Sequence, residues 1–226
     1  LSISSSLREI ATKKEYTEKD LFAYRGLWHS PMHHGFFSAS TPEETLQHIN
    51  VRLQQAHQTL LKLDWLMLTF GAAYVYEQKE TGKVVSNCHK LPENSFNRRL
   101  LPVDEIVDEY TSLITSLAAR NPNLKILFTV SPIRHIRDGM HANQLSKSTL
   151  LLAIDRLQQL FPQHVFYFPS YEIVLDELRD YRFYADDMLH PSPLAIHYLW
   201  KRFSETFFSA DTKQVMEEAE DIRRDL

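Results

Sequence analysis

Cysteine is almost missing from this chain of 226 residues: Cys88 stands alone. That excludes an internal disulfide and any zinc site built on several cysteines, and it fits a reducing compartment. Long apolar runs are missing as well. No stretch approaches the roughly 20 residues that a bilayer-spanning helix needs, so no membrane partner is expected. Positive charge is not in excess. The net charge is −4, and no sequence-wide basic field invites nucleic acid. No internal repeat, low-complexity linker or composition break marks a domain boundary. No signal peptide is visible, and the chain starts at Leu1 rather than Met. The expectation is a cytoplasmic protein whose true N-terminus lies out of sight.

What is present is ordinary globular composition, 43% hydrophobic and 24% charged, enough for one core. A single domain over residues 1–226 is expected, with an aromatic and His-rich insertion around 24–40. Leu1 to Leu7 is short and Ser-rich. Thr17 to Phe22 looks like a cap leading into a helical turn. Leu27 to Phe37 has no clean period and reads as short strands or a structured loop. Thr41-Pro42-Glu43-Glu44 opens a helix running to about Lys62, with Leu46, Ile49, Leu53, Ala56 and Leu60 on one face. Trp65 to Gly71 is a continuous apolar run and reads as a strand buried on both faces. Tyr74 to Val85 reads as a hairpin turning at Thr81-Gly82. A helix from Val103 to about Arg120, a buried strand Leu124 to Ser131, a helix Ser146 to Leu160 and a strand His164 to Pro169 follow. Helical segments are expected at Tyr171 to Leu178 and Pro193 to Phe208, and the charged tail Met216 to Leu226 is weakly amphipathic. Apolar strands alternating with amphipathic helices predict a mainly parallel sheet with helices on both faces. Ligands of such sheets sit beyond the C-terminal strand ends, where Gly71, Ser131 and Pro169 fall.

The chemistry-bearing residues gather near those ends. Asp187 and His190 form Asp-x-x-His, so a tight loop can give the imidazole an acceptor on one ring nitrogen while the other takes a proton. Gly71 can let a ligand approach backbone N–H groups, or it can simply relieve a turn. Asn87 can donate from its amide to a developing oxyanion, or cap a turn. No nucleophile motif is evident. Cys88 beside His89 is a weak candidate, since neighbours on an extended segment point to opposite faces. Ser131, in a Ser-Pro turn, is another. His29 and His33 lie four apart, but Pro31 breaks the helical register a zinc pair would need. With His34 and Trp28 they are read as substrate-lining groups or as plain structure. Arg134, His135 and Lys147 either hold an anionic or carbonyl group of a substrate or pair with nearby acids.

The order Gly, Asn, Asp-x-x-His resembles the SGNH, or GDSL-like, hydrolase superfamily. The closer likeness is to its GSCFA branch. It is carried by Leu27-Trp28-His29-Ser30 with His33-His34, by Thr69-Phe70-Gly71-Ala72, and by Ser86-Asn87-Cys88-His89-Lys90-Leu91-Pro92. Thr129 to His135, Asn143 to Lys147, and Asp180 to Tyr184 running into Asp187 and His190 add to it. The resemblance implies a three-layer α/β/α sandwich, SGNH-like and flavodoxin-like, and a serine esterase without cofactor. In it His190 is the base, Asp187 its partner, and Gly71 and Asn87 the oxyanion donors. His89, Ser131, Arg134 and His135 lie near the substrate. The implied substrate is an acyl or acetyl ester of a carbohydrate-like or small molecule. The Gly-Ser-Cys-Phe-Ala motif that carries the family's nucleophile does not occur in this chain. The first strand and its serine are therefore expected upstream of Leu1, and the chain as given is expected to be inactive. The alternatives are a binding or scaffold protein that keeps the fold, or a metal site at His29, His33 and His34. Homo-oligomerisation stays open.

Overall fold

A computed structural model describes residues 1–225, with side chains described through residue 222. The end of the charged tail, Leu226, lies outside the described residues. The elements run α1 (Ser2–Thr12), β1 (Phe22–Tyr24), β2 (Leu27–His29), α2 (Pro42–Leu60), β3 (Trp65–Phe70), β4 (Tyr74–Gln78), β5 (Val84–Val85) and β6 (Phe96–Leu100). They continue with α3 (Val103–Arg120), β7 (Lys125–Val130), α4 (Gly139–Leu160), β8 (Val165–Phe168), α5 (Ser170–Glu172), α6 (Pro193–Phe207) and α7 (Ala210–Asp225). The chain forms two compact units that alternate along the sequence. One holds Leu1–Leu68, Ala72–Phe128 and Gln144–Tyr167; the other holds Thr69–Gly71, Thr129–Asn143 and Phe168–Leu226.

The main sheet has the order β3-β7-β8. Lys125 donates its N–H to the Asp64 carbonyl, and Ser131 donates to that of Phe70. The two bonds keep one sequence offset from the start of the strands to their ends, which is parallel register. In the central strand Ile126, Leu127 and Phe128 are all buried. Successive side chains point to opposite faces, so β7 is covered on both. The same burial was expected of Trp65 to Gly71, and that expectation is corrected. In β3 Trp65, Met67 and Thr69 are exposed while Leu68 and Phe70 are buried. Side chains alternate between the two faces, so only the face of Leu68 and Phe70 is covered, and Met67 on the other is 61% exposed.

Helix α2 begins as the sequence expects. Thr41 accepts the Glu44 N–H, and Pro42 fills the first turn. Its inner face buries Ile49 and Leu53 against Tyr16, with Ile10, Met32 and Phe37 packed around them. The Thr17 turn closes with a reciprocal Thr17–Asp20 capping box. The hairpin β4–β5 turns where expected, with Gly82 at φ 66°, a left-handed backbone that favours glycine.

Three elements escape the sequence pattern. Helix α1 hides Ser4, Leu7 and Ala11, a stripe of mostly small residues rather than an apolar one. Strand β6 pairs with β4 and is rich in cations. Arg98 stacks on Tyr74 at 3.8 Å, and Arg99 bonds to Glu77 and Glu105. Helix α4 starts at Gly139, a full two turns before the expected Ser146. Its early buried positions are Asn143, Ser146 and Lys147, which no hydrophobic period registers. Among the described residues, no helix is long and apolar enough to cross a membrane.

Candidate functional site

The C-terminal ends of β3, β7 and β8 pass into the second unit, which therefore collects Gly71, the β7 exit loop and everything from Phe168 onward. After β8 the chain coils through Ser170–Glu172 and a π-helical stretch Ile173–Leu178. Asp180 then caps a single turn by accepting the Arg182 N–H. The following loop is closed at its neck. Tyr184 bridges Pro191, and Ala185 donates to the His190 carbonyl at 2.8 Å. Between them Met188 sits at φ 60°, left-handed without being glycine. Such a backbone is held by its surroundings rather than by preference.

Asp187 is the organising side chain of this loop. Its Oδ1 accepts the N–H groups of Leu189 at 2.8 Å and His190 at 2.9 Å. Its Oδ2 meets His190 Nδ1 at 2.5 Å. These bonds, first the His190 N–H, then that of Leu189, then the imidazole, pull the carboxyl down to about 2. A carboxylate at Nδ1 keeps the ring proton there, so Nε2 is left as the acceptor. Both side chains are about half exposed.

The β7 exit loop connects this pair to Gly71. Ser131 N–H bonds to Phe70 O, and Ser131 Oγ accepts the Ile133 N–H at 3.3 Å in a local turn. Arg134 reaches the Asp187–His190 loop, as described below. The His135 N–H bonds to Asn143 Oδ1 at 2.9 Å. A Cβ built on Gly71 would meet His135 Nε2 at 3.7 Å, an ordinary contact. An alanine would therefore fit, so neither φ nor crowding from within the chain requires glycine here. Close approach of another group remains its physical use.

The remaining candidates lie in the first unit. Ser86 and Asn87 both donate backbone N–H groups to Pro31 O. Asn87 Oδ1 accepts the His89 N–H at 2.8 Å, so Asn87 does cap a turn. Its NH2 is the end left for another partner. His89 and Lys90 follow at φ 48° and 59°. The segment is thus a turn and not the extended stretch on which the Cys88–His89 argument rested. The His-rich insertion spends its imidazoles on holding its own loop. His29 meets Ser38 Oγ at 2.7 Å and Tyr24 O at 3.2 Å. His33 Nδ1 meets Ser30 Oγ at 3.0 Å. His89 Nε2 bonds to Ser30 O at 2.7 Å. The rings of His29 and His89 lie 4.5 Å apart, and His34 accepts the Phe36 N–H. Trp28 pairs through its backbone with Ala39. Burial pushes the imidazoles of His33 and His89 down, toward the neutral form. Among the described residues, no three His, Cys, Asp or Glu side chains form a metal-ligating group.

Sequence reasoning quoted Asn143, Ser146 and Tyr184 for the resemblance and gave none of them a role of its own. Ser146 Oγ accepts the Ala73 N–H at 2.7 Å, just past Gly71. Lys147 beside it is 1% exposed, and burial pushes its ammonium down to about 8. The motif Asn143 to Lys147 was the available signal, but its polar residues follow no hydrophobic period that would mark them as buried. A cavity of about 400 Å³ lies elsewhere in the first unit, lined by Leu7, Ile10, Ala56, Leu60 and Leu66 among others. None of the candidate residues borders it.

Residues 1–203 match the model of the GSCFA family. No curated protein and no solved structure matches the chain.

Proposed function

The chain belongs to the GSCFA family, and from that premise we propose that it carries the acid–base half of an SGNH-type serine ester hydrolase. The observation behind the reading is Asp187. It accepts three N–H groups, one from the imidazole it orients. In this reading the fold is the SGNH three-layer sandwich. His190 Nε2 takes the proton of a serine hydroxyl as that oxygen attacks the ester carbonyl. Asp187 stabilises the imidazolium. Gly71 N–H and the Asn87 amide donate to the oxyanion, and His190 returns the proton to the leaving alcohol. Water, deprotonated by the same imidazole, then releases the acid. In this reading the attacking serine is that of the family's Gly-Ser-Cys motif, which is not among these 226 residues. The substrate is an acyl or acetyl ester of a carbohydrate-like or small molecule.

The test supplies a family-type Gly-Ser-Cys-Phe-Ala segment in fusion ahead of Leu1 and measures hydrolysis of short-chain aryl esters. The fusion should turn over these esters and the chain alone should not. His190→Ala should remove several powers of ten in kcat, and Asn87→Ala roughly 10²–10³-fold. Hydrolysis that survives loss of both Asp187 and His190 would place the catalytic centre elsewhere.

A further inference from the structure

Arg134 reads in the sequence as a cation for a substrate anion. Its surroundings give it a different task. Its backbone N–H bonds to Leu189 O at 3.2 Å. Its Nη1 donates to Met188 O, also at 3.2 Å. Its guanidinium lies 4.0 Å from the ring centroid of Tyr184, a buried aromatic at the neck of the loop. Tyr181 flanks it at 5.8 Å. The two carbonyls it takes are those of the residues between Asp187 and His190. One of them, Met188, is the left-handed residue at φ 60°. A planar guanidinium can stack on a ring and aim an N–H in its own plane at the same time, which an ammonium cannot.

We propose that Arg134 is a positioning residue that holds the Asp187–His190 loop in its bonded conformation, linking the exit of β7 to the imidazole. Its importance for turnover rests on the hydrolase reading above; its control of the pair does not. Without the clamp, Met188 relaxes toward negative φ. The N–H groups of Leu189 and His190 then swing off Asp187 Oδ1, and the imidazole loses its fixed orientation.

The experiment uses the 226-residue chain. Carbon-13 NMR follows the Asp187 carboxyl, and long-range proton–nitrogen NMR reads the His190 tautomer, in wild type, Arg134→Gln and Arg134→Lys. The fold is checked by circular dichroism, and Tyr184→Leu serves as a second variant that leaves the arginine in place. In Arg134→Gln the Asp187 pKa should rise by about one to two units, and the tautomer should become mixed. Arg134→Lys keeps the charge and should fail to restore either signal, while Tyr184→Leu should move both part of the way. An unchanged Asp187 titration in a folded Arg134→Gln chain would overturn the proposal. Full rescue by lysine would also overturn it, since charge alone would then be the cause. In the esterase fusion, Arg134→Gln should lower kcat by about 10²-fold with KM little changed. If the NMR signals move but the fusion is inert whatever stands at 134 or 190, the hydrolase reading has failed and the clamp stands.

Discussion

Asp187 owes its low pKa to three N–H groups supplied by its own loop, two of them from the backbone. This has a consequence for pH dependence. A carboxyl held near 2 stays ionised through the range in which an ester hydrolase is assayed. The acid limb of kcat/KM in the fusion should therefore contain no ionisation of this carboxyl. Asp187→Asn should cost about 10⁴-fold in kcat, because an amide can favour the wrong tautomer. A second acid limb near the ordinary carboxylate range, lost in Asp187→Asn, would show that the bonds to Leu189 and His190 do not persist in solution. At this scale the sequence was informative where the partners are close in sequence. Asp187 and His190 are bonded as their spacing implied. The role of Arg134 could not be read the same way. Its partners are main-chain carbonyls 54 and 55 residues further on, and a carbonyl looks the same beneath every side chain. The partners of the insertion's histidines could not be read either, because imidazole type says nothing of its bonds to Ser38, Tyr24 and Ser30.

Elements were legible wherever burial is apolar. Helices α2 and α3 and strands β7 and β8 fall where their patterns put them, and α1 and the start of α4 do not, because they bury serine, alanine, asparagine and lysine. Lys147 makes the cost of that design measurable. Its folded pKa, about 8, lies below the unfolded value near 10.4. Between those limits the unfolded chain holds a proton that the native chain has released. Raising pH therefore favours the native state in this window, and lowering pH through about 8 removes the gain. From pH 8 to 10 the unfolding free energy should rise by about 2 kcal/mol from this group. Above that the buried phenols of Tyr16 and Tyr110, pushed up by desolvation, act in the opposite direction. Urea titrations of wild type and Lys147→Met at stepped pH should show the rise in the first and a flat line in the second. A slope that survives the substitution would assign the titration to another group.

For the molecule as a whole, the sequence fixes a parallel α/β arrangement more readily than its division. Alternating strands and helices announce β3, β7 and β8, but nothing in composition marks Leu68, Phe128 or Tyr167 as boundaries. The reason is that the cut runs through strands rather than linkers: all three strands start in one unit and end in the other. The chain passes between the units five times, at 68–69, 71–72, 128–129, 143–144 and 167–168. Units joined through shared strands cannot unfold one at a time without breaking the ladders that both depend on. A single cooperative transition is therefore expected. Ile49 gives a clean way to load one side. It is fully buried against Tyr16 and Leu53 in the first unit, and Ile49→Ala should cost about 2–5 kcal/mol. Trp65 belongs to the first unit and Trp200 to the second. Single-tryptophan chains retaining one or the other should report the same denaturation midpoint, and Ile49→Ala should lower both midpoints equally. If the Trp65 signal shifts while the Trp200 signal stays in place, the two units unfold independently. The strand continuity would then be too weak to transmit a core defect from α2 to the loop that carries His190.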